Sequence, residues 1–320
     1  QAEYRDGVEM IADLAHYLPG PRAAVVSEIG DHFNTIAVFS LVLAHTRSGM
    51  MISGIMLARA VPAVVAGPIA GVVLDRLDRR RVMLASDLVR AAVALAFILA
   101  VNRPGTWLLY VLSAMLMFAS PFFTSGRSAI LPQIASGEEL HTANSLTQTT
   151  QWTTLTIGTF LAGAAVAQFG YAWAFFFNSL SFLVSAHMVW RLAPVGQGFR
   201  PPRREAGESH PVREYLEGLS YMRRTPLVMG IALIGVGWAS GGGAAQILFS
   251  LFGEIVFHRG PAGIGTIWGF AGIGLLAGGA VAHWWGKRAS FEAYKRTIAV
   301  CFVVHGGAYI VFSQMRSFYW

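Results

Sequence analysis

Long apolar stretches separated by short polar segments dominate the chain from residue 23 onward. A bilayer core about 30 Å thick requires roughly 20 mainly apolar residues in a spanning helix. Nine stretches meet this length, and none shows the alternating apolar and polar positions of a barrel strand. The pattern therefore predicts nine membrane-spanning helices. They lie at residues 23–44, 50–74, 82–101, 106–127, 145–168, 171–191, 227–250, 262–285 and 297–316.

The spacing of these helices predicts how the chain is organised. A polar segment at residues 1–22 comes first, and the six spans at residues 23–191 follow it as one bundle. A linker rich in Pro and Arg at residues 192–226 contains a possible amphipathic helix at residues 212–223. The last three spans, at residues 227–320, are expected to form half of a second bundle.

Weak internal similarity suggests that the second part repeats the first. Residues 3–8 resemble residues 214–219, and residues 70–71 resemble residues 277–278 at a similar offset. A parallel repeat of two six-helix halves is the plan of one large transporter class. Because the chain starts with Gln and stops after an apolar run, both ends are expected to be cuts. Three further spans are expected after Trp320.

Composition supports a membrane protein. Hydrophobic residues make up 54% of the chain and charged residues only 13%, whereas an ordinary soluble domain carries about 25% charged residues. The mean hydropathy is +0.52. The single cysteine, Cys301, excludes a disulfide framework and a cysteine-based metal site.

The distribution of basic residues predicts the orientation. If the amino terminus is cytoplasmic, eighteen of the 24 Lys and Arg residues fall in inside segments, four fall outside and two lie within spans. Cytoplasmic loops carry the excess of Lys and Arg. We therefore expect a multi-pass protein of the cytoplasmic (inner) membrane with a cytoplasmic amino end. Contacts of the basic clusters with anionic lipid head groups are compatible with this orientation.

The most specific motif lies between the second and third predicted spans. Gly71 is followed by Asp75 and then by a basic cluster that ends at Arg81. This loop resembles the signature G-x-x-x-D-R-x-G-R-R/K of the major facilitator superfamily of transporters, with Asp78 in place of a Gly. A plain basic loop that only sets the orientation is the alternative. The resemblance implies a conformational gate formed by Gly71, Asp75, Arg76, Arg79 and Arg80.

Physical roles for these loop residues can be stated. Gly71 would let the helix end pack closely against a neighbour. Asp75 would pair with an arginine or with the amino-terminal dipole of another helix in one conformation only. The arginines at 79–81 would set the orientation and contact lipid phosphates.

Further matches point to one branch of the superfamily. They resemble the exporter branch that includes the enterobactin exporter and macrolide-efflux-type proteins, and they lie at residues 27–31, 59–62, 87–91, 131–132 and 143–145. The resemblance covers roughly residues 22–316. It implies efflux of a small molecule such as a drug or a siderophore, driven by the proton gradient. The fold implied is an all-α major facilitator fold with an incomplete second bundle.

Two elements of the antiporter pattern are degenerate. Residues 158–163 are similar to the fifth-helix motif G-P-x-x-G-G, but Thr159 replaces the Pro. The central Arg of the fourth helix is missing, and Arg127 near the cytoplasmic end is the only Arg of that span. Both departures put a standard proton antiport mechanism in doubt.

Charged residues inside spans are costly and therefore point to function or to specific pairing. Glu28 and Asp31 lie one helical turn apart in the first span. A carboxyl group in a poorly hydrated cavity can load and release a proton near neutral pH, so Asp31, with Glu28, is the candidate for proton coupling. The alternative is a structural partner for a nearby Arg or a helix end.

The other charged positions have two kinds of interpretation. Arg59 in the second span could bind an anionic substrate or a backbone carbonyl, and by helical rise it is not expected to be level with Asp31. Asp87 and Arg90 lie one turn apart near the cytoplasmic end of the third span. A structural pair joined to the basic cluster is favoured for them over substrate binding.

The fifth span begins with a run of polar residues that lipid would not tolerate. Gln148 and Gln151 project together from this run, and Trp152 could add an aromatic wall. This surface is the preferred candidate for substrate contact. Hydrogen bonding between helices without substrate is the alternative. Asn34 and Asn178 are additional cavity candidates.

Enzyme motifs are missing from the sequence. There is no H-E-x-x-H, no G-x-S-x-G and no cluster of His at ligand spacing. We therefore expect no catalytic residues, no metal, no cofactor and no nucleic-acid partner. The expected partners are a small-molecule substrate, protons and membrane lipids. The alternatives kept open are a non-transporting scaffold or sensor, and an importer or lipid flippase, on the same fold.

Overall fold

A computed structural model describes the backbone of residues 19–103, 105–134, 137–191, 211–286 and 288–319. Side chains are described for the same ranges except 19–24, 131–147 and 211–215. Only helices and turns occur in this part of the chain. The helices are α1 (Pro19–Thr46), α2 (Gly49–Leu74), α3 (Arg79–Ala96), α4 (Trp107–Ile134), α5 (Gly137–Phe169), α6 (Tyr171–Trp190), α7 (Pro211–Arg224), α8 (Pro226–Leu251), α9 (Gly260–Gly286) and α10 (Phe291–Ser313). A short helix, Ile98–Val101, continues α3, and a π-helical turn, Phe252–Val256, continues α8.

The structure has a helix at each of the nine positions where the sequence predicts a span. Seven of these helices are long and apolar enough to cross a membrane: α2, α3 with its continuation, α4, α6, α8, α9 and α10. The two others, α1 and α5, are the helices in which the sequence analysis places intramembrane acids and a polar run. The all-α membrane fold predicted from the sequence is confirmed.

Local sequence explains where α2 ends and α3 begins. The side chain of Asp78 accepts a hydrogen bond from the backbone N–H of Arg81 at 3.0 Å and so caps the first turn of α3. Asp78 stands where the signature loop has Gly, and the departure therefore supplies a helix cap.

Between α5 and α6 a single residue, Gly170, makes the turn with a φ of 85°, which a residue with a side chain rarely adopts.

The first six helices pack around a core formed mainly by α1 and α6. The α1 helix packs against α5 and α6, α3 lies against α4 and α6, and α2 packs against α4. Phe97 stacks on Phe175 with ring centroids 5.0 Å apart. Ile36 and Phe39 of α1 are fully buried. The inner surface of α1 is therefore fixed by its neighbours on several sides.

Helix α9 packs closely along α5 through small residues. A Cβ atom added at Gly265 would lie 2.7 Å from the Cα atom of Gly163, so the two backbones meet directly. The aromatic ring of Trp152 lies over Gly279 further along the same two helices. Small residues at such crossings are typical of membrane helix packing.

The described chain separates into two compact units. One contains residues up to 201 together with residues 249–320, and the other is residues 202–248, with α7 and most of α8. The helix predicted at residues 212–223 is present as α7. Most of the predicted amino-terminal segment, and the predicted linker up to residue 210, lie outside the described residues. The domain boundaries predicted from the sequence stay a prediction.

Candidate functional site

One face of α1 carries a line of polar side chains through the apolar bundle. Glu28, Asp31 and Thr35 follow one another at intervals of three and four residues, which places them on one side of a helix. Phe39 continues the same face and is buried. We call Glu28, Asp31 and Thr35 the α1 polar track.

The first residue of the track joins three helices. Glu28 forms an ion pair with Arg127 of α4, with Oε1 and Nη1 3.2 Å apart. The hydroxyl of Thr154 in α5 donates to Glu28 Oε2 at 3.0 Å. The side chains of Glu28 and Arg127 are each 22% exposed, so the pair is only partly sealed from solvent. Of the two interpretations of Glu28, this geometry is the one expected for a structural partner of an Arg.

Asp31 lies between opposite charges. The fields of Arg90 and Arg59 attract its carboxylate, and those of Glu28 and Asp87 repel it. Its carboxylate has no hydrogen bond or ion pair within the described ranges of the chain, although its backbone carbonyl accepts from Thr35 Oγ1 at 2.8 Å. A carboxyl group of this kind can change its protonation without first losing a partner.

Arg59 approaches the track from α2. Its Nη2 donates to Thr35 Oγ1 at 3.1 Å, and its guanidinium carbon lies 5.9 Å from the centre of the Phe39 ring. Thr35 is one turn along α1 from Asp31, so the Arg59 head group sits about one turn from that acid. Nη1 of Arg59 is buried and has no hydrogen-bond partner among the described residues. An acceptor brought by a ligand would satisfy it.

Asn34 and Asn178 are sealed inside the bundle. Asn34 is 1% exposed and Asn178 is fully buried. Both amide groups lack hydrogen-bond partners in the part of the chain that the structure describes. A Cβ atom added at Gly30 would lie 2.8 Å from Oδ1 of Asn178, which places this amide against α1. Neither side chain reaches open space in this conformation, contrary to their expected place on a cavity wall.

The polar run of α5 is divided between different surroundings. Gln148 is exposed, and Gln151 and Trp152 are partly buried. The Trp152 ring packs over Gly279 of α9, so this side chain takes part in helix packing. Thr154 binds Glu28 as described above. Gln148 is the exposed member of the predicted substrate surface, and Gln151 is partly buried.

The segment at residues 71–81, which joins α2 to α3 and which we call the signature turn, is anchored by two of its arginines. Arg79 Nη1 donates to the carbonyl of Ala129 in α4 at 2.8 Å, and Arg80 Nε donates to the carbonyl of Val189 in α6 at 3.1 Å. Val189 lies in the last turn of α6, where a cation is favourable. These two side chains bind protein carbonyls through one nitrogen each, and their expected contact with lipid phosphates stays a prediction.

The other members of the turn are more open. Asp75 and Arg76 are exposed at the carboxyl end of α2. A Cβ atom added at Gly71 would meet nothing within 4 Å among the described residues. The close helix contact expected at Gly71 is therefore not formed within this part of the chain.

Asp87 and Arg90 form the ion pair expected from their spacing, and it is fully buried. Asp87 Oδ2 also accepts from Ser185 Oγ at 2.7 Å. The guanidinium of Arg90 lies between the rings of Phe123 and Phe182, at 4.5 and 4.4 Å from their centres. The pair is enclosed by α3, α4 and α6. Among the described residues no hydrogen bond or ion pair joins it to Arg79 or Arg80, which bind the carbonyls of Ala129 and Val189.

Sequence reasoning missed one member of the α1 polar track, Thr35, and two of its partners, Arg127 and Thr154. Nothing in the sequence singles out Thr35, because Ser and Thr residues are common in membrane helices. Arg127 and Thr154 lie 99 and 126 residues from Glu28 along the chain. A single Arg in a span and an acid in another are a signal for pairing, although the sequence does not give the register between them.

Comparison with known proteins adds to this geometry. The family model for the Major Facilitator Superfamily matches residues 23–320. The multidrug efflux pump Tap of Mycolicibacterium fortuitum is 29% identical over 219 residues, which cover 66% of this chain and 53% of Tap. The enterobactin exporter EntS of Citrobacter koseri is 26% identical over 224 residues, covering 67% of this chain and 51% of EntS.

A third relative is the uncharacterized MFS-type transporter YfiS of Bacillus subtilis. It is 26% identical over 205 residues, covering 64% of this chain and 48% of YfiS. The chain spans about half the length of these relatives. The match to the family model includes almost all of the described helices and the signature turn. This chain belongs to the major facilitator superfamily.

Proposed function

We propose that this chain is part of a secondary active exporter that moves a small molecule, such as a drug or a siderophore, by alternating access. The observation that carries the proposal is the α1 polar track, which lines up ionisable groups inside an otherwise apolar helix bundle. Such residues mark ion or substrate pathways in membrane proteins. The relatives named as a multidrug efflux pump and an enterobactin exporter support export as the direction.

Protons are the proposed coupling ion, and Asp31 is the proposed carrier. Its carboxylate is flanked by charges of both signs but has no direct partner in the described part of the chain. Glu28, by contrast, is engaged by Arg127 and Thr154. Protonation of Asp31 would remove its attraction to Arg59 and so change how strongly α1 holds α2. This links proton binding to helix movement.

Arg59 is the proposed contact for an anionic or acceptor group of the substrate. Its buried Nη1 lacks a partner in the described residues, whereas Nη2 is held by Thr35. Gln148 and Gln151 would supply further polar contacts. Protonation of Asp31 would weaken its attraction to Arg59 and leave Arg59 more available to the substrate. Proton binding and substrate binding would then be coupled through this arginine.

The signature turn is the proposed gate on the opposite side of the bundle from the α1–α2 turn. Arg79 and Arg80 fix the start of α3 to α4 and α6. Asp75 and Arg76 are the exposed part of the turn, and with Gly71 they would make the contact that forms and breaks. Such a two-state contact is what alternating access requires.

The test is efflux of ethidium from an efflux-deficient bacterium that expresses the complete protein to which this chain belongs. We expect lower ethidium accumulation than in cells with an empty vector, and a protonophore should abolish the difference. Asp31→Asn should remove it, whereas Glu292→Gln, which alters an exposed acid of α10, should not. Protonophore-sensitive efflux by Asp31→Asn would exclude Asp31 as the carrier. A complete, membrane-inserted protein that lowers the accumulation of neither ethidium nor a siderophore would favour a non-transporting scaffold.

A further inference from the structure

A hydrogen-bonded cluster lies outside the α1 polar track and joins three segments of the chain. Ser40 of α1 is fully buried, and its hydroxyl donates to Oε2 of Glu254 at 2.7 Å. The same hydroxyl lies 3.3 Å from the phenol oxygen of Tyr171 at the start of α6. Glu254 belongs to the π-helical turn that follows α8. Turns of this kind are often found at functional sites.

The cluster lies at the end of the bundle that faces away from the signature turn. Helix α6 begins at Tyr171, and the carbonyl of Val189 in its last turn binds Arg80. The length of α6 therefore separates Tyr171 from the signature turn. Ser40 is likewise near the end of α1 that leads into the α1–α2 turn.

The hydroxyl protons fix the direction of the hydrogen bonds. Each hydroxyl has a single proton to donate. Because Ser40 gives its proton to the Glu254 carboxylate, Tyr171 must donate to the Ser40 oxygen. The chain thus runs from Tyr171 through Ser40 to Glu254, and it ends on a charged acceptor, which makes the last bond stronger than one between neutral groups.

No cation shares this carboxylate in the described part of the chain. The nearest Arg or Lys in sequence, Arg259, donates to the phenol oxygen of Tyr319 at 2.8 Å, and its guanidinium lies over the ring of Phe318. The described ion pairs involve other acids. The position of the Glu254 side chain therefore depends on its hydrogen bond from Ser40 and, through Ser40, on Tyr171.

The π-helical turn that contains Glu254 packs directly against α9. A Cβ atom added at Gly253 would lie 2.5 Å from the backbone nitrogen of Ile264, so the π-helical turn and α9 touch backbone to backbone. The N–H of Arg259 also donates to the carbonyl of Gly253 at 3.0 Å. Movement of α9 relative to α1 and α6 would consequently pull Glu254 away from Ser40.

We propose that Ser40, Tyr171 and Glu254 form a second gate, at the face opposite the signature turn, with Glu254 as its gating residue. The Ser40–Glu254 bond holds α9 against α1 and α6 and closes this face, and opening the face breaks the bond. The inference rests on the alternating access proposed above, which requires one closure on each side of the membrane.

The test measures opening without transport. In a Cys301→Ser background, Leu43→Cys places a thiol one turn from Ser40 at a position that is fully buried. Its rate of reaction with N-ethylmaleimide, measured on the protein in liposomes, reports exposure of this face. We expect Glu254→Ala and Ser40→Ala each to raise the rate by about tenfold, which corresponds to about 1.4 kcal/mol. Glu254→Gln should give a smaller rise because a neutral hydrogen bond is kept.

Two controls separate gate opening from loss of fold. Val189→Cys is buried at the other end of the bundle, and its labelling rate should not rise in the same variants. Glu292→Gln should leave both rates unchanged. An unaltered Leu43→Cys rate in Glu254→Ala would overturn the proposal, and so would an equal rise at both thiols. Because labelling needs neither substrate nor a gradient, failure to detect transport would not imitate either result.

Discussion

At the scale of single residues, the two described ion pairs of the first six helices have different surroundings. Asp87 and Arg90 are sealed, paired and held by aromatic rings. Glu28 and Arg127 are paired but partly exposed. A buried charged group needs its ion-pair partner, because water cannot reach it to compensate the free energy lost on desolvation. The buried pair therefore has to stay intact, whereas water offsets part of the desolvation of the Glu28–Arg127 pair.

Breaking the sealed pair should destabilise the protein strongly. Arg90→Met leaves the Asp87 carboxylate buried without its cation, and we expect a loss of about 3–5 kcal/mol in the free energy of unfolding. The double change Asp87→Asn with Arg90→Met should recover part of this loss because no isolated charge remains. Unfolding by sodium dodecyl sulfate in mixed micelles measures both. Equal stability of the single and double variants would show that the isolated charge is not the cause.

Asp78 precedes α3 and stabilises the first turn of that helix. Its side chain caps α3 at the point where the signature loop has Gly. Loss of such a cap to Ala typically costs about 1 kcal/mol, whereas loss to Gly costs only a few tenths. We expect Asp78→Ala to lower the free energy of unfolding by about 1 kcal/mol and Asp78→Gly to lower it less, in the same micelle assay. The reverse order would mean that capping does not explain this position.

At the scale of elements, the sequence was sufficient for the helices but not for their partners. Apolar length predicts helices at all nine span positions because a bilayer demands that length. The spacing of Asp87 and Arg90 predicts their pair because both lie on one helix. Glu28 and Arg127 lie on different helices, so their contact depends on a register that local pattern does not contain. The burial of Asn34 and Asn178 likewise follows from how α1 and α6 meet.

The contact of α5 with α9 is an element-scale feature that depends on glycine. A Cβ atom at Gly265 would lie 2.7 Å from Gly163 Cα and 3.0 Å from its nitrogen. Both atoms belong to the backbone, so the helices must separate to accept it. At Gly274 of the same helix a Cβ atom meets nothing within 4 Å among the described residues.

The two glycines therefore offer a matched comparison. Gly265→Ala should lower the free energy of unfolding by about 1–3 kcal/mol, as expected for overpacking. Gly274→Ala should be neutral or stabilising by up to about 1 kcal/mol, because alanine favours a helix. Both are measured by thermal unfolding in detergent. A loss of similar size at both positions would show that close backbone contact is not what the α5–α9 packing requires.

At the scale of the whole molecule, the distribution of basic residues at the two ends of α2 predicts how the protein is oriented in the membrane. Helix α2 has 26 residues, about 39 Å at 1.5 Å per residue, which is enough to cross the apolar core. One end follows the α1–α2 turn and the other enters the basic signature turn. The excess of Lys and Arg predicts that the signature turn is cytoplasmic.

Thiol labelling at the two ends of α2 tests this orientation. In a Cys301→Ser background, Met50→Cys and Leu77→Cys place single thiols at positions that are 83% and 55% exposed. With a membrane-impermeant maleimide added to intact cells, we expect Met50→Cys to react and Leu77→Cys to stay unlabelled. After permeabilisation both should react, which shows that the difference comes from the membrane and not from the thiols. Labelling of Leu77→Cys alone in intact cells would reverse the orientation and would place the Ser40–Glu254 gate, rather than the signature turn, on the cytoplasmic side.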